Sequence, residues 1–135
     1  MVTLIAGKKG TGKSKEIVKM ANEIVAEVNG DAIFIDDDNR AMYNLHHDLR
    51  FVNMKEFPID TGEEFLGFIC GLISNNYDIQ KIFIDGILNC VTIELDRLPA
   101  WFKKIEDIST AFSVDFIITL NYESALPESL QRFMR

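Results

Sequence analysis

The chain has 135 residues, 47% of them apolar and 26% charged, with eight glycines and three prolines. This is the composition of one globular domain, read as a single unit over residues 1–135, large enough to bury roughly two thirds of its unfolded surface; it excludes disordered and collagen-like classes. No apolar run approaches the ~20 residues of a bilayer span, and the opening Met1-Val-Thr-Leu-Ile-Ala-Gly7 lacks a basic flank and long apolar stretch, so a cytoplasmic protein without membrane insertion is expected. A net charge of −7 argues against nucleic acid as a partner. The charge is uneven, however. Lys8, Lys9, Lys13, Lys15 and Lys19 stand against Glu16 alone near the start, where an anionic ligand is expected. Cys70 and Cys90 have no zinc-site spacing and read as reduced, buried thiols.

In chain order, Val2 to Ala6 reads as a buried strand ending at Gly7. Ile17, Ala21, Ile24 and Val28 then recur at helical spacing and predict an amphipathic helix over 14–28, ended by Asn29-Gly30. Ala32 to Ile35 is a second buried strand that stops at Asp36-Asp37-Asp38. Residues 37–60 are the least regular, with Leu49 to Met54 as a short extra strand at most. Thr61-Gly-Glu-Glu64 matches a capping box and opens a helix over 62–74. Lys81 to Asp85 is a third strand, a helix starts near Leu98 with Leu98, Phe102, Ile105, Ile108 and Phe112 on one side, and Val114 to Leu120 is the fourth strand. A short helix is expected within 127–135. Strands that are apolar throughout and alternate with helices predict an α/β three-layer sandwich around a mainly parallel sheet of about four strands. Right-handed crossovers would bring Gly7, Asp36, Asp85 and Asn121 to one edge.

Gly7-Lys8-Lys9-Gly10-Thr11-Gly12-Lys13-Ser14 fits GxxxxGK[ST], and it sits between a predicted strand and a predicted helix. Glycines let the backbone curl so that successive N–H groups converge on phosphate oxygens, and the following helix adds the positive end of its dipole. Lys13 would neutralise the β- and γ-phosphates, and the Ser14 hydroxyl would ligate Mg²⁺. Asp85, closing the apolar strand Ile82-Phe83-Ile84, is the second candidate Mg²⁺ ligand.

Together these residues resemble the P-loop NTPase superfamily, with Walker A at 7–14 and Walker B at 82–85. The likeness then divides. Lys8 within the loop, Phe34-Ile-Asp36-Asp-Asp38 and Tyr77-Asp78 ahead of the third strand are similar to the ParA/MinD type, in which the loop's second lysine reaches a partner's nucleotide; Lys9 departs from that pattern, and the chain is short for it. The other branch is RecA-like, in which a strand is inserted between the Walker A and Walker B strands. Asn121 would be its polar sensor, although Gly86 stands where many members carry Glu. The chain is also similar to small stand-alone bacterial ATP-binding proteins. Lys9 and the terminal Asn121 favour the RecA-like order, with the 114–120 strand between those at 2–6 and 81–85. Asn121-Tyr122-Glu123-Ser124 is not a guanine-reading NKxD, so ATP is the expected nucleotide.

The resemblance implies Mg²⁺-ATP bound by residues 7–14, with Ser14 and Asp85 on the metal. It also implies slow hydrolysis or a nucleotide-dependent switch that acts with a protein partner or a second copy. Catalysis is expected from Lys13, Asp36 and Asp38, since alternation lets at most two of the three consecutive acids approach one phosphate. Alternatives are a small-molecule kinase with the acidic turn as base, and a domain that binds ATP without turnover. Arg40 reads as an ion pair with the neighbouring acids, His46-His47 as surface histidines, and Trp101 and Phe102 as core.

Overall fold

The structure, a computed structural model, describes residues 1–135. Five strands, β1 (Val2–Gly7), β2 (Asp31–Asp36), β3 (Leu49–Asn53), β4 (Ile79–Ile84) and β5 (Asp115–Asn121), form one sheet in the order β1-β5-β4-β2-β3, and every pair is parallel. β5 lies between β1 and β4, as the sequence leads one to expect. The helices are α1 (Lys13–Val25), α2 (Gly62–Asn75), α3 (Ile87–Cys90), α4 (Leu98–Phe112) and α5 (Glu128–Gln131). No helix is long and apolar enough to cross a membrane.

The sheet has five strands rather than four. β3 escapes a reading by apolar runs because it is an edge strand: only Leu49 and Val52 are buried, while Arg50 is exposed. At the other edge, Leu4 N–H donates to Phe133 O at 2.8 Å and the C-terminal segment covers β1.

Alternating side chains divide the core between the two faces. On one face α2, α3, α4 and α5 close over a cluster of 26 buried residues; on the other α1 alone covers nine, so the ends of the strands stay open beside it. Ile17, Ala21 and Val25 of α1 are buried with Phe34 and Phe83, whose rings stack at 6.2 Å. α1 stops at Val25 rather than Val28, because the chain leaves the helix in a turn that still packs Val28 on this core. Cys70 is exposed, contrary to the sequence reading, since Phe65, Leu66, Ile69 and Ile73 form the inward stripe of α2; Cys90 is buried. Phe112, expected on the inward side of α4, is instead exposed at its last turn, whereas Trp101 and Phe102 are core.

The capping box at Thr61 is complete: Glu64 N–H donates to Thr61 Oγ1 at 3.1 Å, and the Glu64 carboxylate accepts from Thr61 N–H at 3.0 Å. The first residue of α2, Gly62, receives the Trp101 Nε1–H on its carbonyl at 3.0 Å. A Cβ at Gly62 would stand 2.8 Å from Ile93 Cγ1 and 3.0 Å from Trp101 Cδ1. Gly62→Ala is therefore expected to destabilise the fold by about 1–3 kcal/mol through overpacking. A lower urea midpoint with an unchanged m-value checks it.

Candidate functional site

Parallel register brings four strand ends together. Gly7 of β1 pairs with Asn121 of β5, and Ile84 of β4 pairs with Ile118 of β5 and Ile35 of β2. Asp36 follows Phe34 by two residues, Asp85 follows Phe83, and Thr119 and Asn121 follow Ile117, so all four polar residues share the face that α1 covers. The apolar members pack under the helix. The polar ones open past its first turn into a cavity of about 1050 Å³.

One wall of the cavity is the loop 7–14. Gly10 and Gly12 both have φ of +86°, and a Cβ on either would have nothing within 4 Å, so backbone conformation and not crowding calls for glycine there. Gly12 caps α1, and Gly12, Lys13 and Ser14 line the cavity at the positive end of that helix. Lys13 is only 8% exposed, and its Nζ donates to the loop's own acceptors, Lys8 O at 2.5 Å and Thr11 Oγ1 at 3.1 Å. A buried ammonium held by neutral oxygens alone suits an anion better than it suits an empty interior.

Asp85 and Asp36 form the opposite wall. Asp85 is buried; Thr119 Oγ1–H donates to its Oδ1 at 2.7 Å, and the same hydroxyl oxygen accepts Gly86 N–H at 2.6 Å. Asp36 is buried too, and its Oδ1 accepts Asp37 N–H at 2.7 Å. Burial, a hydrogen bond with the Asp37 carboxyl and the charge of Asp85 push the Asp36 carboxyl from 3.8 up to about 8. Burial and the same carboxylates also hold the Cys90 thiol protonated, well above the usual thiol range. Neither buried aspartate has a cationic side chain in contact. Two carboxylates without counter-charge, close to the Ser14 hydroxyl in one cavity, make the all-oxygen donor set that suits Mg²⁺.

The site gathers most of the residues expected from the sequence. Lys9, Gly10, Gly12, Lys13, Ser14, Asp36 and Asp85 line the cavity together with Asn121. Gly7, Lys8 and Thr11 belong to the loop without lining it; Lys8 is exposed and contributes its carbonyl. Of the three consecutive acids it is Asp36 and Asp37 that face the cavity. Asp38 does not line it, because its oxygens accept Arg40 N–H at 2.9 Å and Arg40 Nε–H at 2.7 Å, the ion pair expected for that arginine. His46 and His47 are exposed and stacked at 4.4 Å; with Asp48 they could present ligand atoms within 4.8 Å of one another, a closer convergence than adjacent residues suggest. Thr119 is the functional residue that sequence reasoning missed. Its signal was a lone hydroxyl inside an apolar strand, two residues before Asn121 and hence on the same face.

No known protein-family model matches the chain, and no curated protein matches it.

The Asp36 shift has a direction that stability measurements can read. A folded-state pKa above the unfolded one means that the native protein holds the extra proton between about 4 and about 8, so stability falls as pH rises through that window. Asp36→Asn removes the titration. The variant is expected to lose less stability than the parent between pH 5 and pH 8, as followed by urea denaturation across ~3 pH units.

Proposed function

We propose that this chain is a Mg²⁺-ATP-binding P-loop protein, a slow ATPase or nucleotide-dependent switch that acts with a protein partner or a second copy. The observation that carries the reading is the buried, unpaired Lys13 ammonium at the start of α1, sharing one cavity with the buried, uncompensated Asp36 and Asp85. Triphosphate oxygens would take Lys13 Nζ from Lys8 O and Thr11, and the N–H groups of the glycine loop would converge on the same phosphates. Mg²⁺ held by Ser14 and Asp85 would neutralise charge on the β- and γ-phosphates. Thr119 fixes the Asp85 carboxylate, and Asn121 offers an amide at the phosphate end. Asp37, with its carboxylate on the cavity, is the acid best placed to orient a water in line. Asp36 stays neutral below about pH 8 and would there donate a hydrogen bond rather than repel phosphate. Asp38 acts on this turn through Arg40, so its expected role as a base gives way to that of a positioning residue.

Two features support neighbouring readings. The cavity continues past the phosphate loop along Lys15, Lys19, Asn22 and Glu23 of α1 to Arg40 and Asn44, room that a small-molecule kinase would use for its acceptor. Gly86, in place of an acid after Asp85, supports ATP binding without turnover.

Calorimetry with Mg²⁺-ATP tests the nucleotide reading. Lys13→Ala is expected to weaken binding by at least about tenfold, the scale of one charge-assisted phosphate contact; equal affinity in parent and variant would falsify it. Phosphate release over a range of protein concentrations separates the alternatives. A rate that rises with concentration supports action in trans, and Asp37→Asn is expected to lower the rate while sparing affinity. A parent rate equal to the Lys13→Ala blank supports binding only.

A further inference from the structure

Behind the phosphate loop lies a second cavity, of about 280 Å³, lined by Ala6, Gly7, Tyr122, Ser124, Leu126, Gln131 and Met134. The loop separates it from the large cavity: Gly7 lines the small one, and Lys9, Gly10 and Gly12 line the large one. Taking the nucleotide reading above as given, we infer that this second cavity receives the heterocyclic base of the nucleotide, stacked on Tyr122 and read by Gln131, with adenine preferred to guanine.

A nucleoside triphosphate seated on residues 7–14 has two ways to lead its base off the loop. The outer part of the large cavity is walled by Lys15, Lys19, Glu23, Asp37 and Arg40, a charged trench that offers a flat heterocycle neither an apolar wall nor a stacking partner. The small cavity has Leu126, Met134 and Ala6 for apolar contact, one aromatic ring, and two polar side chains, the combination by which bases and drug-sized ligands are held.

The segment that builds this cavity is tied to the phosphate loop at both ends. Tyr122 N–H donates to Gly7 O at 3.0 Å, so the ring starts one residue beyond the strand pair that launches the loop. Leu4 N–H donates to Phe133 O at 2.8 Å, Leu4 bridges to Met134, and buried Leu130 and Phe133 anchor α5 and the residue that follows it in the core. Tyr122 and Met134 themselves keep exposed surface. Anchored backbone with accessible side chains is how a preformed site is made.

Specificity follows from the remaining amide. Gln131 Nε2–H donates to Leu126 O at 3.1 Å, which leaves its Oε1 as an acceptor. The exocyclic amine of adenine is a donor for that oxygen, whereas guanine would oppose it with its own O6 acceptor.

Calorimetry with Mg²⁺-ATP, Mg²⁺-GTP and inorganic Mg²⁺-tripolyphosphate tests the inference on the full chain, with thermal denaturation to show that each variant is folded. Tyr122→Ala is expected to weaken ATP about tenfold, the scale of base–aromatic stacking, and to leave tripolyphosphate unchanged. Tyr122→Phe, which keeps the ring, is expected to bind ATP as the parent does. Gln131→Ala is expected to narrow the gap between ATP and GTP. The inference is overturned if Tyr122→Ala leaves ATP affinity unchanged, if it weakens tripolyphosphate equally, or if the outer-trench variant Glu23→Ala/Asn44→Ala weakens ATP in its place. A parent protein that binds ATP and tripolyphosphate alike, both lost in Lys13→Ala, overturns the base pocket and keeps the phosphate loop. A parent that binds neither overturns both.

Discussion

Everything at the candidate site depends on parallel pairing in one register. Because β1, β5, β4 and β2 all run the same way, their carboxyl ends reach one edge together, and the two-residue alternation of strand side chains sends Gly7, Asn121, Thr119, Asp85 and Asp36 toward the one helix that begins there. A slip of one residue in β4 would turn Asp85 into the large core and Ile84 into the cavity. The Thr119 hydroxyl guards against that slip: it accepts Gly86 N–H and donates to Asp85 Oδ1, so β5 holds both the backbone and the carboxylate at the end of β4. The apolar layer beneath, Phe34 against Phe83, makes the register worth keeping.

The charges gathered there are arranged against the interest of the empty fold. Lys13 is buried with only neutral oxygens for partners, while Asp36 and Asp85, also buried, repel one another in the same cavity. A chain optimised for stability would pair the ammonium with a carboxylate or remove both. Elsewhere this protein does pair its charges: Lys81 with Asp115, and Arg132 with Glu106 through two hydrogen bonds. The exception at the strand ends is local, and a ligand carrying both an anionic group and a divalent cation would satisfy it on both sides at once.

Fold class was legible because it rests on patterns that local sequence carries. Continuous apolar runs marked four buried strands, helical spacing marked α1, α2 and α4, and the capping box fixed the start of α2 to the residue. β3 was half-legible: an edge strand buries only alternate residues, and an exposed Arg50 in its middle looks the same in a loop. At the site, the loop 7–14 was legible because its glycines and Lys13 are required by backbone geometry and charge. The choice among Asp36, Asp37 and Asp38 was not, because it turns on what lies beyond the strand. Alternation favoured 36 and 38, but the chain leaves β2 after Asp36, and the Arg40 backbone and guanidinium draw Asp38 away from the cavity. Thr119 was invisible for a related reason, since its role is set by the neighbouring strand's Asp85 and Gly86.

Gly86 shows how backbone geometry constrains chemistry here. It has φ of +70°, and a Cβ on it would stand 3.0 Å from Asn89 Nδ2. An acidic side chain after Asp85 would therefore meet both a left-handed backbone and an amide already in its space. Any group that positions a water must come from the other side of the cavity, where β2 runs out into the acidic turn. That turn is continuous with residues 40–44, a 3-10 segment with no buried residue that displays Tyr43 to solvent, and Asp38 joins the two through Arg40. A change at the phosphate end of the cavity thus has a short covalent and hydrogen-bonded route to an exposed surface. With an acid at position 86 the chemistry would sit on the rigid centre of the sheet; with glycine there it depends on the segment least held by the core, the one a partner can reach.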